Sequence, residues 1–275
     1  MKIYISVDLE GIAGIVHESQ TNPNDLGNRH EYARARALMT AEANAAVAGA
    51  FEGGAKRVLV NDAHWDNRNI LAESLDPRAE LLSGGPKPWS MMDGIELGWD
   101  AAFLIGYHGK AGTGRSVIDH TYTDRIRDVR LNGKSVGEVG LNAALAGAFD
   151  VPVALLSGDD TLAAEVKALF GPTVVSVVVK EAMSRYAARS VSPEEACRRI
   201  REAAAAVLKK LPKPFTISAP VSLEIDFTFG VQADLAALIP GAEQPGPCTV
   251  RWSGPGMREA FSVFRAMFLL SGTAT

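Results

Sequence analysis

Lys2-Ile-Tyr-Ile-Ser-Val-Asp-Leu-Glu-Gly11 begins as an apolar strand and ends in two carboxylates. Asp8 and Glu10 stand two apart, so in an extended chain both side chains leave by the same face. No lysine or arginine lies within Val7-Asp-Leu-Glu-Gly11, and such a pair repels itself unless a cation or a proton intervenes. Two further apolar runs end in histidine, Val58-Leu-Val-Asn-Asp-Ala-His64 and Phe103-Leu-Ile-Gly-Tyr-His108. In a parallel α/β sheet the carboxyl ends of the strands share one side, and ligands bind in the crevice there. The three segments therefore deliver Asp8, Glu10, His64 and His108 to one sheet edge, as the donor types of a metal site.

Around these strands the chain alternates. Leu38, Met39, Ala43, Ala46, Val47 and Ala50 recur at helical spacing, Gly53-Gly54 stop the run, and Lys56 to Asn61 is strand-like. Val129-Arg-Leu131 turns at Asn132-Gly133, a hairpin signal. Leu141, Ala144, Leu145 and Ala148 mark a short helix, a strand follows from Val151, Asp159 or Asp160 caps the next helix, and Val174 to Val179 suits a buried strand. The expected fold is α/β, a mostly parallel sheet flanked by helices over residues 1–190. A smaller C-terminal α+β subdomain is expected over 191–275. There Ser192-Pro-Glu-Glu195 opens a helix, Lys209 to Pro214 reads as a linker, and Met257, Phe261, Phe264 and Phe268 form a helical apolar stripe that packs on the first domain or serves a subunit contact.

Composition narrows the function classes. The 275 residues are 47% hydrophobic and 22% charged, with a net charge of −4 and scattered basic residues, so neither nucleic acid nor an anionic membrane surface is an expected partner. The first apolar stretch is too short for a signal-peptide core, and no run of about 18 apolar residues offers a membrane span, which makes the expected location cytoplasmic. Cys197 and Cys248 lie far apart and form no zinc-ribbon or disulfide pattern.

Asp62, beside His64, is expected to orient the imidazole from outside the ligand set. Glu138 is flanked by glycines in Val136-Gly-Glu-Val-Gly140, which allows close backbone approach. His120, in Val117-Ile-Asp-His-Thr121, fits an exposed loop as well as a site, while His17 and His30 are read as solvent-facing. Asp159-Asp160 is explained by helix capping.

At these residues the sequence resembles a known family. Ser6-Val-Asp-Leu-Glu-Gly11, Val60-Asn-Asp-Ala-His64, Ser83-Gly-Gly-Pro-Lys-Pro88, Gly106-Tyr-His108, Val136-Gly-Glu-Val-Gly-Leu-Asn142 and Gly158-Asp-Asp160 occur in the order found in zinc-dependent D-aminopeptidases. The resemblance implies an enzyme that removes N-terminal D-amino acids from short peptides or amides. It implies two Zn²⁺ per subunit on Asp8, Glu10, His64, His108 and Glu138, with His120 as the catalytic residue, and a homo-oligomer, a decamer enclosing a channel. The donor set suits this chemistry: three carboxylates against two divalent ions leave one positive charge, which a bridging hydroxide neutralises. Mn²⁺ or Co²⁺ also fit mixed oxygen and nitrogen donors.

Other classes compete at the level of residue types. A dinucleotide site would need phosphate where Asp8 and Glu10 lie beside Gly11-Ile-Ala-Gly14, and Gly109-Lys-Ala-Gly-Thr-Gly114 lacks the order of a phosphate-binding loop. A metallophosphoesterase and a non-enzymatic metal-dependent binding module use similar ligands and stay open.

Overall fold

The computed structural model describes residues 1–274. In chain order the elements are β1 (Lys2–Val7), α1 (Arg29–Glu52), β2 (Arg57–Asp62), β3 (Glu80–Leu82), β4 (Ala101–Tyr107), β5 (Ile126–Leu131), β6 (Lys134–Val136), α2 (Glu138–Gly147), β7 (Val153–Asp159), α3 (Asp160–Phe170), β8 (Val175–Ser184) and β9 (Ala187–Ser190). There follow α4 (Pro193–Val207), β10 (Val221–Phe227), α5 (Gly230–Ala236), β11 (Glu243–Gly246), β12 (Thr249–Gly254) and α6 (Met257–Ser271).

Seven strands form the main sheet in the order β3-β2-β1-β4-β7-β8-β9, and every pairing is parallel except that of β9 with β8. The period-2 alternation of β1 sends Ile3, Ile5 and Val7 into the core under α1 and α4, and Tyr4 into the opposite core, which α2, α3 and α6 share. The α/β architecture expected from the sequence is the one observed.

A second, antiparallel sheet runs β11-β12-β10-β5-β6. The hairpin at Asn132-Gly133 is as expected, with both residues at positive φ (47° and 78°). Its position divides the molecule differently from a cut at residue 190. β5 and β6 leave the first segment to complete a sheet with β10, whereas α4 lays Ala196, Ile200 and Ala204 on α1 and so belongs with the first sheet. Helix α1 begins at Arg29, well before the apolar period at Leu38, because its first turns are largely exposed and carry no apolar repeat. No helix among the described residues is long and apolar enough to cross a membrane.

Glu42 is buried in the middle of α1. One oxygen accepts from the Ala13 amide at 2.8 Å, and the other has no hydrogen-bond partner. Burial pushes its carboxyl up to about 7, against the smaller pull of that amide and of Lys180. A raised folded-state pKa contributes stability that is complete below the ordinary carboxylate range and is lost as pH rises through 7. Glu42→Gln is therefore expected to gain about 1–3 kcal/mol on the wild type between pH 5 and pH 8. Urea unfolding at both pH values checks this, and equal differences at the two would contradict it.

Candidate metal centre

Val7 is level with Asp62 of β2 and Ile105 of β4, so the residues after these three adjacent strands emerge side by side. The Asp8 amide donates to the Ile105 carbonyl at 2.8 Å and the Gly11 amide to the Gly106 carbonyl at 2.7 Å. This crossing requires glycine on both strands. A Cβ at Gly11 would stand 1.9 Å from the Tyr107 oxygen, and one at Gly106, where φ is +73°, 2.3 Å from the Asp8 oxygen.

The crossing brings the predicted ligands together, each no more than 4% exposed: Asp8, Glu10, His64, His108 and Glu138. Asp8 lies between two imidazoles, with Oδ1 3.2 Å from His64 Nδ1 and Oδ2 3.6 Å from His108 Nε2. His64 Nδ1 is also 3.0 Å from Glu10 Oε2, and His108 Nε2 is 3.5 Å from Glu138 Oε2. Each ring is oriented from behind by a carbonyl: His64 Nε2 donates to Thr21 at 2.8 Å, and His108 Nδ1 to Gly109 at 3.0 Å. With those nitrogens occupied, the other nitrogen of each ring faces the carboxylates, and in the neutral form it would offer them and any cation between them a lone pair.

His120 stacks on His108 with ring centroids 4.2 Å apart at 15°. Its Nδ1 donates to the Ile118 carbonyl at 2.9 Å and its Nε2 is 3.7 Å from Glu138 Oε1. Two groups of ligand atoms lie within 4.8 Å of one another, Asp8-Glu10-His108 and His108-His120-Glu138. His120 thus stands where it can ligate a metal as well as carry a proton.

Among the described residues Glu10 Oε2, His108 Nε2 and Glu138 Oε2 are buried without a hydrogen-bond partner. These atoms belong to two groups that share His108, and their desolvation cost is one that a divalent cation would remove, so the residues present fit a metal. Burial and the adjacent Glu10 push the Asp8 carboxyl up to about 6. His108 rises to about 10 despite burial, because Glu138, Asp8 and Glu10 surround it, and His64 rises likewise through Glu10 and Asp8. Glu10 and Glu138 are held low against burial by the imidazoles. Protons on these groups compete with a divalent cation, so metal binding must release them.

Residues outside the predicted set hold the ligands in place. Buried Lys180, at the end of the β-branched run of β8, donates to the carbonyls of Glu10, Ile12 and Ile15 at 2.5, 3.0 and 2.7 Å and pins the loop after β1. Lys87 donates to Asn61 Oδ1 and the Asp62 carbonyl, both at 2.7 Å, and fixes the end of β2 just before His64. Asp62 does not orient the imidazole. Its carboxylate accepts from the amides of Asn69 and Ile70 and shapes the following loop, while Thr21 does the orienting. Asp159 caps α3 at Leu162 and also accepts from the Val117 amide at 3.0 Å, anchoring the loop that carries His120. That loop is strained at Ile118 (φ 48°), and Arg185 clasps it through its own carbonyl and through the Asp119 carboxylate. His17 and His30 are exposed, as expected.

The ligands open into a cavity of about 900 Å³ whose walls include Trp65, Lys87, Arg185 and Phe268. Buried carboxylates and imidazoles with unpartnered ligand atoms, set at the carboxyl edge of a parallel sheet under a cleft of this size, have the make-up of a metal-dependent hydrolase. The Peptidase_M55 family, described as D-aminopeptidase, matches residues 1–266, and the chain belongs to that family. It is 40% identical over 270 residues to a D-aminopeptidase of Bacillus subtilis (strain 168), covering 97% of this chain and 96% of the relative. It is also similar, with a TM-score of 0.94 and 39% identity over 100% of this chain and 99% of the other, to a solved structure described as the Zn-dependent D-aminopeptidase DppA from Bacillus subtilis, a self-compartmentalizing protease.

Proposed function

We propose that this chain is a cytoplasmic zinc aminopeptidase that removes N-terminal D-amino acids from short peptides or amides, with two Zn²⁺ held by Asp8, Glu10, His64, His108 and Glu138. The observation that carries this reading is the set of buried, partnerless ligand atoms on Glu10, His108 and Glu138 around Asp8. Mixed oxygen and nitrogen donors suit zinc and would also accept Mn²⁺ or Co²⁺. Bound there, the metals would acidify a water and polarise the scissile carbonyl.

The remaining steps fall to the chain. Asp8 spans the two halves of the site, and the carbonyls of Thr21 and Gly109 keep His64 and His108 aimed at it. His120, with Nδ1–H donated to the Ile118 carbonyl, leaves Nε2 as an acceptor that would take a proton from the attacking water and then pass it to the leaving amine. Purified protein is expected to hydrolyse a D-aminoacyl p-nitroanilide, faster than its L counterpart, and to leave p-nitrophenyl phosphate untouched. The opposite substrate preference would return the metallophosphoesterase reading to first place.

The self-compartmentalizing relative supports a homo-oligomer, and we take the decamer as its size. Phe229, Val231, Leu238 and Leu269, exposed on and around α5 and α6, give apolar area for subunit contact. Light scattering is expected to return about ten chains per particle, and a monomer would contradict the assembly.

A further inference from the structure

Five cationic side chains line the cavity: Arg68, Lys87, Arg125, Arg185 and Arg265. Three are already engaged. Arg68 pairs with Asp66, Lys87 is spent on Asn61 and main-chain carbonyls, and Arg185 is shared by Asp119, Glu18 and Asp124. Among the described residues Arg125 and Arg265 have no carboxylate within ion-pair distance, and the buried Arg125 Nε has no hydrogen-bond partner at all. The charged neighbour that bears on Arg125 is Asp124, whose carboxylate is 77% exposed and turned to Arg185.

The two arginines share one platform. The Arg125 guanidinium lies 5.5 Å and that of Arg265 5.3 Å from the centroid of the Phe268 ring. Phe268 in turn meets Tyr122 edge-on at 5.9 Å, and the Tyr122 amide donates to Glu138 Oε1 at 2.6 Å. Arg125 follows Tyr122 by three residues, so its backbone lies within about 10 Å of it even along an extended chain. An extended dipeptide or tripeptide spans about 7–10 Å. The pair thus lines the same cavity as Asp8, Glu10, His64 and Glu138, and the Arg125 backbone stands within about a short peptide's length of Tyr122, whose amide holds Glu138.

We infer that Arg125 and Arg265 form a subsite for the C-terminal carboxylate of a short peptide whose N-terminus lies at the metal centre. The inference rests on the aminopeptidase reading above and adds a preference within its substrates: di- and tripeptides with a free C-terminus over their amides. A guanidinium matches a carboxylate through paired hydrogen bonds, and stacking on Phe268 orders the arginine before the ligand arrives. An amide end offers no charge to these groups.

The test is the ratio of kcat/KM for D-alanyl-glycine to that for D-alanyl-glycinamide, measured on the zinc-loaded enzyme. The wild type is expected to favour the free acid by about tenfold to a hundredfold, as for a charge-assisted hydrogen-bonded pair. In the Arg125→Gln/Arg265→Gln double variant, checked for unchanged zinc content, the ratio is expected to fall close to one through a rise in KM for the acid. Arg125→Lys/Arg265→Lys is expected to restore part of it. A wild-type ratio near one, or a glutamine variant that keeps the wild-type ratio, overturns the subsite while leaving the aminopeptidase reading in place. Failure of the wild type to cleave either compound overturns both.

Discussion

Glu10→Ala and His108→Ala are each expected to remove metal and activity together. Both residues contribute a buried ligand atom that has no other partner, and both belong to the group of ligand atoms that includes Asp8. Without either, four donors remain for two ions, too few to keep both, and hydrolysis should fall by on the order of 10⁴ or more, since the activated water supplies most of the rate. Elemental analysis beside a peptidase assay reads both effects. A control separates metal loss from misfolding: the metal-free Glu10→Ala protein should keep the far-UV circular dichroism of the metal-free wild type and a cooperative melt, at a lower temperature because the change takes one of its two carboxylates from the buried His64 imidazole. Full zinc content with retained hydrolysis in either variant would count against the ligand assignment.

His120→Ala should behave differently. Its Nε2 is 3.7 Å from Glu138, and its side chain is less deeply buried than those of the proposed ligands, at 18% exposed. As the group that moves a proton, it should leave zinc in place when removed, with the rate down by about 10² to 10⁴. Its place within the His108-His120-Glu138 group makes the alternative concrete. If the variant loses zinc, His120 is a ligand and the division of roles proposed here is wrong.

What could be read from the sequence was what strand periodicity and the geometry of parallel sheets dictate. Asp8, His64 and His108 follow apolar runs, and parallel pairing of β2, β1 and β4 is enough to bring them together. What could not be read depends on partners remote along the chain or on main-chain atoms, which sequence does not display. Lys180 meets the carbonyls of Glu10, Ile12 and Ile15 across more than 160 positions. The partner that orients His64 is the Thr21 carbonyl, so adjacency made Asp62 look like the orienting group when its carboxylate serves the next loop. The division between the two sheets was hidden for the same reason. The hairpin of β5 and β6 shows its turn locally, but its pairing with β10, about ninety residues later, is a tertiary choice.

The measurement closest to the central claim is a zinc titration of metal-stripped protein, following bound zinc and D-aminoacyl p-nitroanilide hydrolysis in the same samples. The account predicts no turnover without metal and activity that saturates at two zinc ions per chain. Full turnover by the metal-free protein, or zinc binding unaltered when Asp8 and Glu138 are both replaced by alanine, would contradict it.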